Sequence, residues 1–300
     1  MTLPNALTID VEDYYHVTNF AGRIRADSWD EYPSRVVDST QTILRLLADR
    51  KIHGTFFVLG YVARRHPELV KTIAAAGHEI ASHSYWHKLV YAQSPAEFRA
   101  DLCASRNILE DLTGRPITAY RAPTFSITRN SRWALEILAE EGFSVDSSVF
   151  PIRHDRYGNP SADVSPHLIE LAAGQLWEVP MTVYQLGGSI NVPAAGGGYF
   201  RLFPYQLTRW LLGQVIARSQ RPVVFYVHPW EFDPDQPRMQ AGSRVQRLRH
   251  YVNLDKTVDK FARLLDDFSW GRLDDVLTAY RNSNLTGVER PFHCTASIKA

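Results

Sequence analysis

Short apolar runs that break into acids, histidines or an arginine recur along this chain, separated by amphipathic stretches long enough to cross back over a sheet. The first runs from Ala6 to Ile9 and ends in Asp10, Glu12 and Asp13. A plain strand-like run stands at 54–58, and the same event returns at 77–82 before His83, at 118–120 before Arg121, at 142–145 before Asp146, and at 222–227 before His228. Uniformly apolar runs of that length read as strands buried on both faces. Between them, Val36, Val37, Thr40, Ile43, Leu44 and Leu47 fall at helical spacing, Pro67 opens a helix that closes on Gly77, and Ser94-Pro95-Ala96-Glu97 has the form of a capping box. Residues 131–141 complete the alternation. Strand and helix in turn predict an α/β protein with a mainly parallel sheet, and the polar clusters fall at strand C-termini, where α/β barrel enzymes carry their chemistry.

The rhythm changes between residues 148 and 205, where Pro and Gly are frequent and one strand is expected at 176–184. Gly196-Gly197-Gly198 lacks the strand-before, helix-after context of a phosphate loop, so a mobile or closely packed loop beside a groove is expected there. A helix at 204–218 restores the pattern, 233–249 reads as loop, and 255–282 as one or two amphipathic helices. The expectation is a single domain over 1–285, with a loop- and strand-rich insertion at 148–205, a helical extension at 232–285 and a flexible tail at 286–300.

Charge excludes some functions. With 33 basic against 32 acidic residues the formal net charge is +1, which argues against binding nucleic acid or an anionic membrane as the main task. The 7 Trp and 14 Tyr suit a groove that holds sugar rings. Cys103 and Cys294 are far apart and outside metal-ligand spacing, and are expected as reduced thiols. No signal-peptide pattern or long apolar window is visible, so a cytoplasmic protein without membrane insertion is expected. The sequence leaves the oligomeric state open.

His83 and His87, four apart where a strand is expected to run into a helical turn, can present both imidazoles to one divalent metal. Three carboxylates within four positions, Asp10, Glu12 and Asp13, raise one another's pKa, so a positive partner is expected among them.

In their order, these motifs resemble the polysaccharide deacetylase family of carbohydrate esterases, the NodB-homology enzymes. Thr8-Ile9-Asp10-Val11-Glu12-Asp13 is similar to the family's first motif, His83-Ser84-Tyr85-Trp86-His87 to its second, Arg121-Ala122-Pro123-Thr124-Phe125 to its third and Val227-His228 to its fifth, with Asp146-Ser147-Ser148 as the loosest match, to the fourth. The variant first motif looks like the branch found with exopolysaccharide loci and the peptidoglycan deacetylase and allantoinase-like group.

The resemblance implies a distorted (β/α)7-type barrel and hydrolysis of N-acetyl groups on amino sugars of a glycan. It implies a divalent metal on His83, His87 and a carboxylate; Val11 stands where the family's ligand would be, which leaves Glu12 and Asp13 as alternatives, with Glu12 favoured by its shared strand face with Asp10. Zinc is the default metal, and cobalt, nickel, manganese or iron suit the same donors. Asp10 is the implied general base, Arg121 its orienting partner and His228 the general acid, while Asp146 either tunes His228 or caps a turn. Trp86, Pro123, Phe125, Tyr199 and Trp230 are the expected sugar contacts. A metal-free hydrolase of small cyclic amides and a noncatalytic glycan-binding protein are the rivals.

Overall fold

The computed structural model describes residues 3–285 apart from 19, 155, 189 and 220, with only the backbone of 284 and 285. Cys294 and the expected tail at 286–300 lie outside the described residues. The elements in order are β1 (Asn5–Val11), α1 (Val36–Ala48), β2 (Thr55–Val58), α2 (Gly60–Arg65), α3 (Pro67–Ala75), β3 (Glu79–Ser82), α4 (Pro95–Thr113), β4 (Ala119–Tyr120), α5 (Trp133–Glu140) and β5 (Val145–Asp146). They continue with β6 (His167–Leu171), β7 (Gly174–Glu178), β8 (Val183–Leu186), β9 (Ile190–Pro193), α6 (Gly197–Leu202), α7 (Tyr205–Ser219), β10 (Val224–Val227), α8 (Arg244–Tyr251), α9 (Thr257–Asp267), β11 (Trp270–Gly271) and α10 (Leu273–Leu285).

One sheet of order β10-β1-β2-β3-β4-β5-β7-β6 carries the fold, with β11 beside the start of β1. All pairings are parallel except β6 with β7. Every residue of β1 is buried, as a strand covered on both faces requires. Its register sets Ile9 opposite both Val227 and Phe56, so the ends of β10, β1 and β2 lie level on one rim. The α/β reading therefore holds, while among the described residues no pairing joins β6 to β10 and the strands do not close into a ring.

Local chemistry accounts for the helices. The buried positions of α1 are Val36, Ser39, Thr40, Ile43 and Leu47, one stripe at helical spacing. At α4, Ser94 and Glu97 exchange the capping-box hydrogen bonds and Gly114 closes the helix at φ 64°.

Three expectations are corrected. The strand expected at 176–184 is two, β7 and β8, in different sheets, because Pro180 interrupts the ladder. The loop expected at 233–249 contains the start of α8, opened by a Ser243–Gln246 capping box. The glycine triplet is closely packed, as one of its two readings had it, but it opens a helix rather than a loop: α6 begins at Gly197, and Gly196 bridges Tyr226 of β10. At Gly196, φ is 122° and an added Cβ would stand 2.0 Å from the Tyr226 carbonyl oxygen, so only glycine lets the backbones approach. No helix among the described residues is long and apolar enough to cross a membrane.

Candidate active site

The ends of β1, β3, β4 and β10 bring Asp10, Glu12, His83, His87, Arg121 and His228 together, all but His228 less than a tenth exposed. At the end of β1 the Glu12 N–H donates to the Asp10 carbonyl, 3.0 Å away. This tight turn sends Val11 into the core and leaves both carboxylates in the cleft. Arg121 is wholly buried: its Nη1 donates to Asp10 Oδ1 at 2.7 Å and to Thr8 Oγ1 at 2.7 Å, its Nε to the Ser147 carbonyl and its Nη2 to Ser147 Oγ. Its guanidinium lies 4.1 Å from the Phe57 ring centre. Here is the positive partner the acidic motif called for, with each guanidinium nitrogen engaged.

His83 Nδ1 lies 2.8 Å from the Arg121 carbonyl and so carries the proton, leaving Nε2 as a lone pair. The loop to His87 is not a helical turn: Ser84 and His87 both adopt positive φ, 73° and 51°. Asp101 of α4 holds it, accepting from the Ser84 hydroxyl and from the backbone N–H groups of Tyr85 (2.8 Å) and Trp86 (3.0 Å). Thr124 and Phe125, in the third motif, are also at positive φ, 55° and 51°. Each costs on the order of 1–3 kcal/mol, so surrounding structure must enforce it.

Glu12 Oε2 lies 3.1 Å from His87 Nε2, and Oε1 lies 3.1 Å from His228 Nε2. Ligand atoms of Glu12, His83 and His87 fall within 4.8 Å of one another. Burial lowers His83 to about 4 and His87 well below its usual value, so both are neutral donors. Burial also raises Glu12 to about 8 against the pull of His228, and Oε2 has no hydrogen-bond donor in good geometry. A buried, under-compensated carboxylate with two neutral imidazoles is the donor set that suits a divalent cation.

Asp13, the other ligand alternative, turns away. Its carboxylate accepts from Ser34 Oγ and from the N–H groups of Tyr14, Arg35 and Val36, which places it at the N-terminus of α1. The structure sets Glu12, not Asp13, with the histidines.

His228 sits at the end of β10, and its partner is Glu231 rather than Asp146. Glu231 Oε2 accepts from the His228 N–H at 2.9 Å and lies 3.3 Å from Nδ1. Burial works against a charge on His228, yet Glu231 and then Glu12 outweigh it and hold the imidazole up at about 9. Asp146 instead accepts from Ser148 Oγ and faces Glu178, whose Oε1 accepts from the Val149 N–H. Burial raises Asp146 to about 6 and pushes Glu178 well up, so this carboxyl pair holds a proton. Of the two readings of Asp146, its hydrogen bond from Ser148 Oγ fits the turn cap, and Glu231 stands where the partner of His228 was looked for.

The cleft, with about 130 Å³ of space, is lined by Asp10, Glu12, His83, His87, Phe125, His228 and Trp230, and by Thr18, Thr124, Arg156, Tyr157 and Tyr226. Of the expected sugar contacts, Phe125 and Trp230 are thus in its wall. Trp86 packs 6.1 Å from Trp29 and 5.9 Å from Tyr61. Tyr199 packs against Phe150 and Phe203, and Pro123 is buried at the start of its turn. Sequence reasoning missed Asp101, Arg201 and Glu231. Glu231 had a signal, its place three residues after His228 behind Pro229, the form of a cap.

Residues 25–142 match the family model described as Polysaccharide deacetylase, and residues 147–278 match one described as Domain of unknown function. Over 110 residues the chain is 33% identical to a peptidoglycan-N-acetylglucosamine deacetylase of Bacillus cereus, covering 36% of this chain and 39% of that protein. A peptidoglycan deacetylase of Helicobacter pylori is 30% identical over 107 residues, 36% of each. A Bradyrhizobium chitooligosaccharide deacetylase is 25% identical over 33% of this chain and 43% of that protein. The chain thus spans less than half the length of these relatives. Among solved structures, a polysaccharide deacetylase from Mycobacterium smegmatis superposes with a TM-score of 0.60 at 20% identity, over 97% of this chain and 96% of that one. An allantoinase superposes at 0.57 and 14%, over 93% and 90%.

Proposed function

From a chain that carries a polysaccharide deacetylase domain of the NodB-homology type, we propose a metal-dependent hydrolase that removes N-acetyl groups from amino sugars of a bacterial glycan or its precursor. The observation that carries this reading is the placing of Glu12, His83 and His87 in one cleft with the Asp10–Arg121 pair and His228. Residues 10–12, 83–121 and 228–231 all contribute, so residues 1–285 are read as one catalytic domain.

Glu12, His83 and His87 would hold the metal, zinc by default. When bound, it polarises an acetyl carbonyl and acidifies a water. Asp10 is the general base, taking a proton from the attacking water on the carboxylate that Arg121 holds in place. His228 gives its Nε2 proton to the amide nitrogen, because an amine leaves poorly unless protonated. Phe125 and Trp230 offer apolar faces to a sugar ring.

The test is acetate release from N-acetylglucosamine oligomers by the metal-loaded protein, wild type beside Asp10→Asn. Release by the wild type and a loss of at least about 100-fold in the variant, with glycan binding retained, supports the reading. Glycan binding without acetate release by the wild type would replace the enzyme with a binding protein.

A further inference from the structure

We infer that Glu231, locked by Arg201, is the positioning residue for His228, and that the stretch matched only to a domain of unknown function supplies this device. The inference rests on the reading of His228 as the acid.

One carboxylate oxygen, Oε2, meets both the backbone N–H of His228 at 2.9 Å and its ring Nδ1 at 3.3 Å. The backbone hydrogen bond fixes the residue, and the approach of Oε2 to Nδ1, short of a well-aligned hydrogen bond, favours the ring rotation in which Nε2 faces Glu12 Oε1 and the cleft. Glu231 is only 1% exposed, and a carboxylate so buried needs a second partner. Arg201 Nε supplies it, 2.7 Å from Oε1.

Arg201 is itself clamped. Its Nη1 donates to the carbonyls of His250 at 2.7 Å and Val252 at 3.1 Å, and its guanidinium lies 5.0 Å from the centre of the Trp230 ring. That indole is stacked between the rings of His228 and His250, at 5.2 and 4.3 Å. The glycine triplet explains how Arg201 arrives there. Gly196 bridges Tyr226, two residues before His228, and at Gly197 an added Cβ would stand 2.4 Å from the Tyr226 hydroxyl. α6 therefore starts tight against β10, and Arg201 comes round behind the histidine.

A buried ion pair that only braced the turn at Pro229–Phe232 would be replaceable without touching chemistry. Contact of Glu231 with the imidazole itself makes the opposite prediction, that its effect travels through His228. A double-mutant cycle on kcat separates the two. Glu231→Gln is expected to lower kcat about 10–100-fold with KM little changed, and to have no further effect in a His228→Gln background. Glu231→Asp, which keeps the Arg201 pair but draws the carboxylate off the ring, is expected to fall between and serves if Glu231→Gln fails to fold. Nitrogen resonances of His228 in histidine-labelled protein give a readout apart from turnover, with Nδ1 expected to shift in Glu231→Gln. Equal losses in both backgrounds, or an unmoved Nδ1, would overturn the positioning role. Full activity in His228→Gln alone would instead remove the acid reading, and the positioning role with it.

Discussion

The β3 end and the β10 end of the cleft use the same residue type to opposite effect. His83 donates to a carbonyl and His87 has one oxygen of Glu12 beside it, and burial keeps both neutral. His228 is mostly buried too, but Glu231 and Glu12 face it and hold it charged. Burial sets the cost of a charge, while the neighbours decide whether it is met. Glu12 stands between the two ends, touching His87 with one oxygen and His228 with the other. Neutral imidazoles suit ligation and a charged one suits proton donation, so in the proposed reaction one side-chain chemistry would serve two tasks a few ångströms apart.

The sharpest way to break this comparison is to remove one end alone. His228→Gln is expected to lower kcat by about 10²–10⁴-fold while metal content, measured on the same preparation, stays as in the wild type. Loss of metal would mean the ends are not separable. Arg121→Met leaves Asp10 buried without its cation; urea unfolding is expected to show a loss of about 3–5 kcal/mol. A stability change below about 1 kcal/mol would mean that Asp10 finds another donor. Asp13→Asn tests the choice between neighbouring carboxylates. It is expected to cost about 1 kcal/mol through the N-terminus of α1, with metal content unchanged.

The smallest effect concerns Asp146 and Glu178. An acid whose folded pKa is raised binds more protons folded than unfolded, so it contributes stability that declines as pH rises through that interval. For Asp146 the interval runs from about 4 to about 6. The difference in unfolding free energy between wild type and Asp146→Asn should therefore shift against the wild type over this range, and a pH-independent difference would show that Asp146 holds no extra proton in the fold.

Much of this was legible in residue order. The apolar run at 6–9 and the turn of alternation through 146 read correctly because parallel strands are buried on both faces and tolerate little else. The histidine pair, Asp10, Glu12, Arg121 and His228 stood out because chemistry sits at strand ends. Long-range partners did not. Arg201 reaches Glu231 across 30 residues through a glycine contact with β10, and no local spacing announces that. Pro180 splitting one apparent strand between two sheets is likewise a tertiary outcome, although the proline itself was visible. Asp146 stayed open between two roles in the sequence because a motif position says which residue is near a strand end, not which way it faces.

Elemental analysis of purified protein, wild type beside His83→Ala/His87→Ala, tests the central claim most directly. About one equivalent of transition metal in the wild type and none in the double variant is the predicted result for a site built from two imidazoles and one carboxylate. Equal metal in both proteins, or none in the wild type after reconstitution, would contradict it.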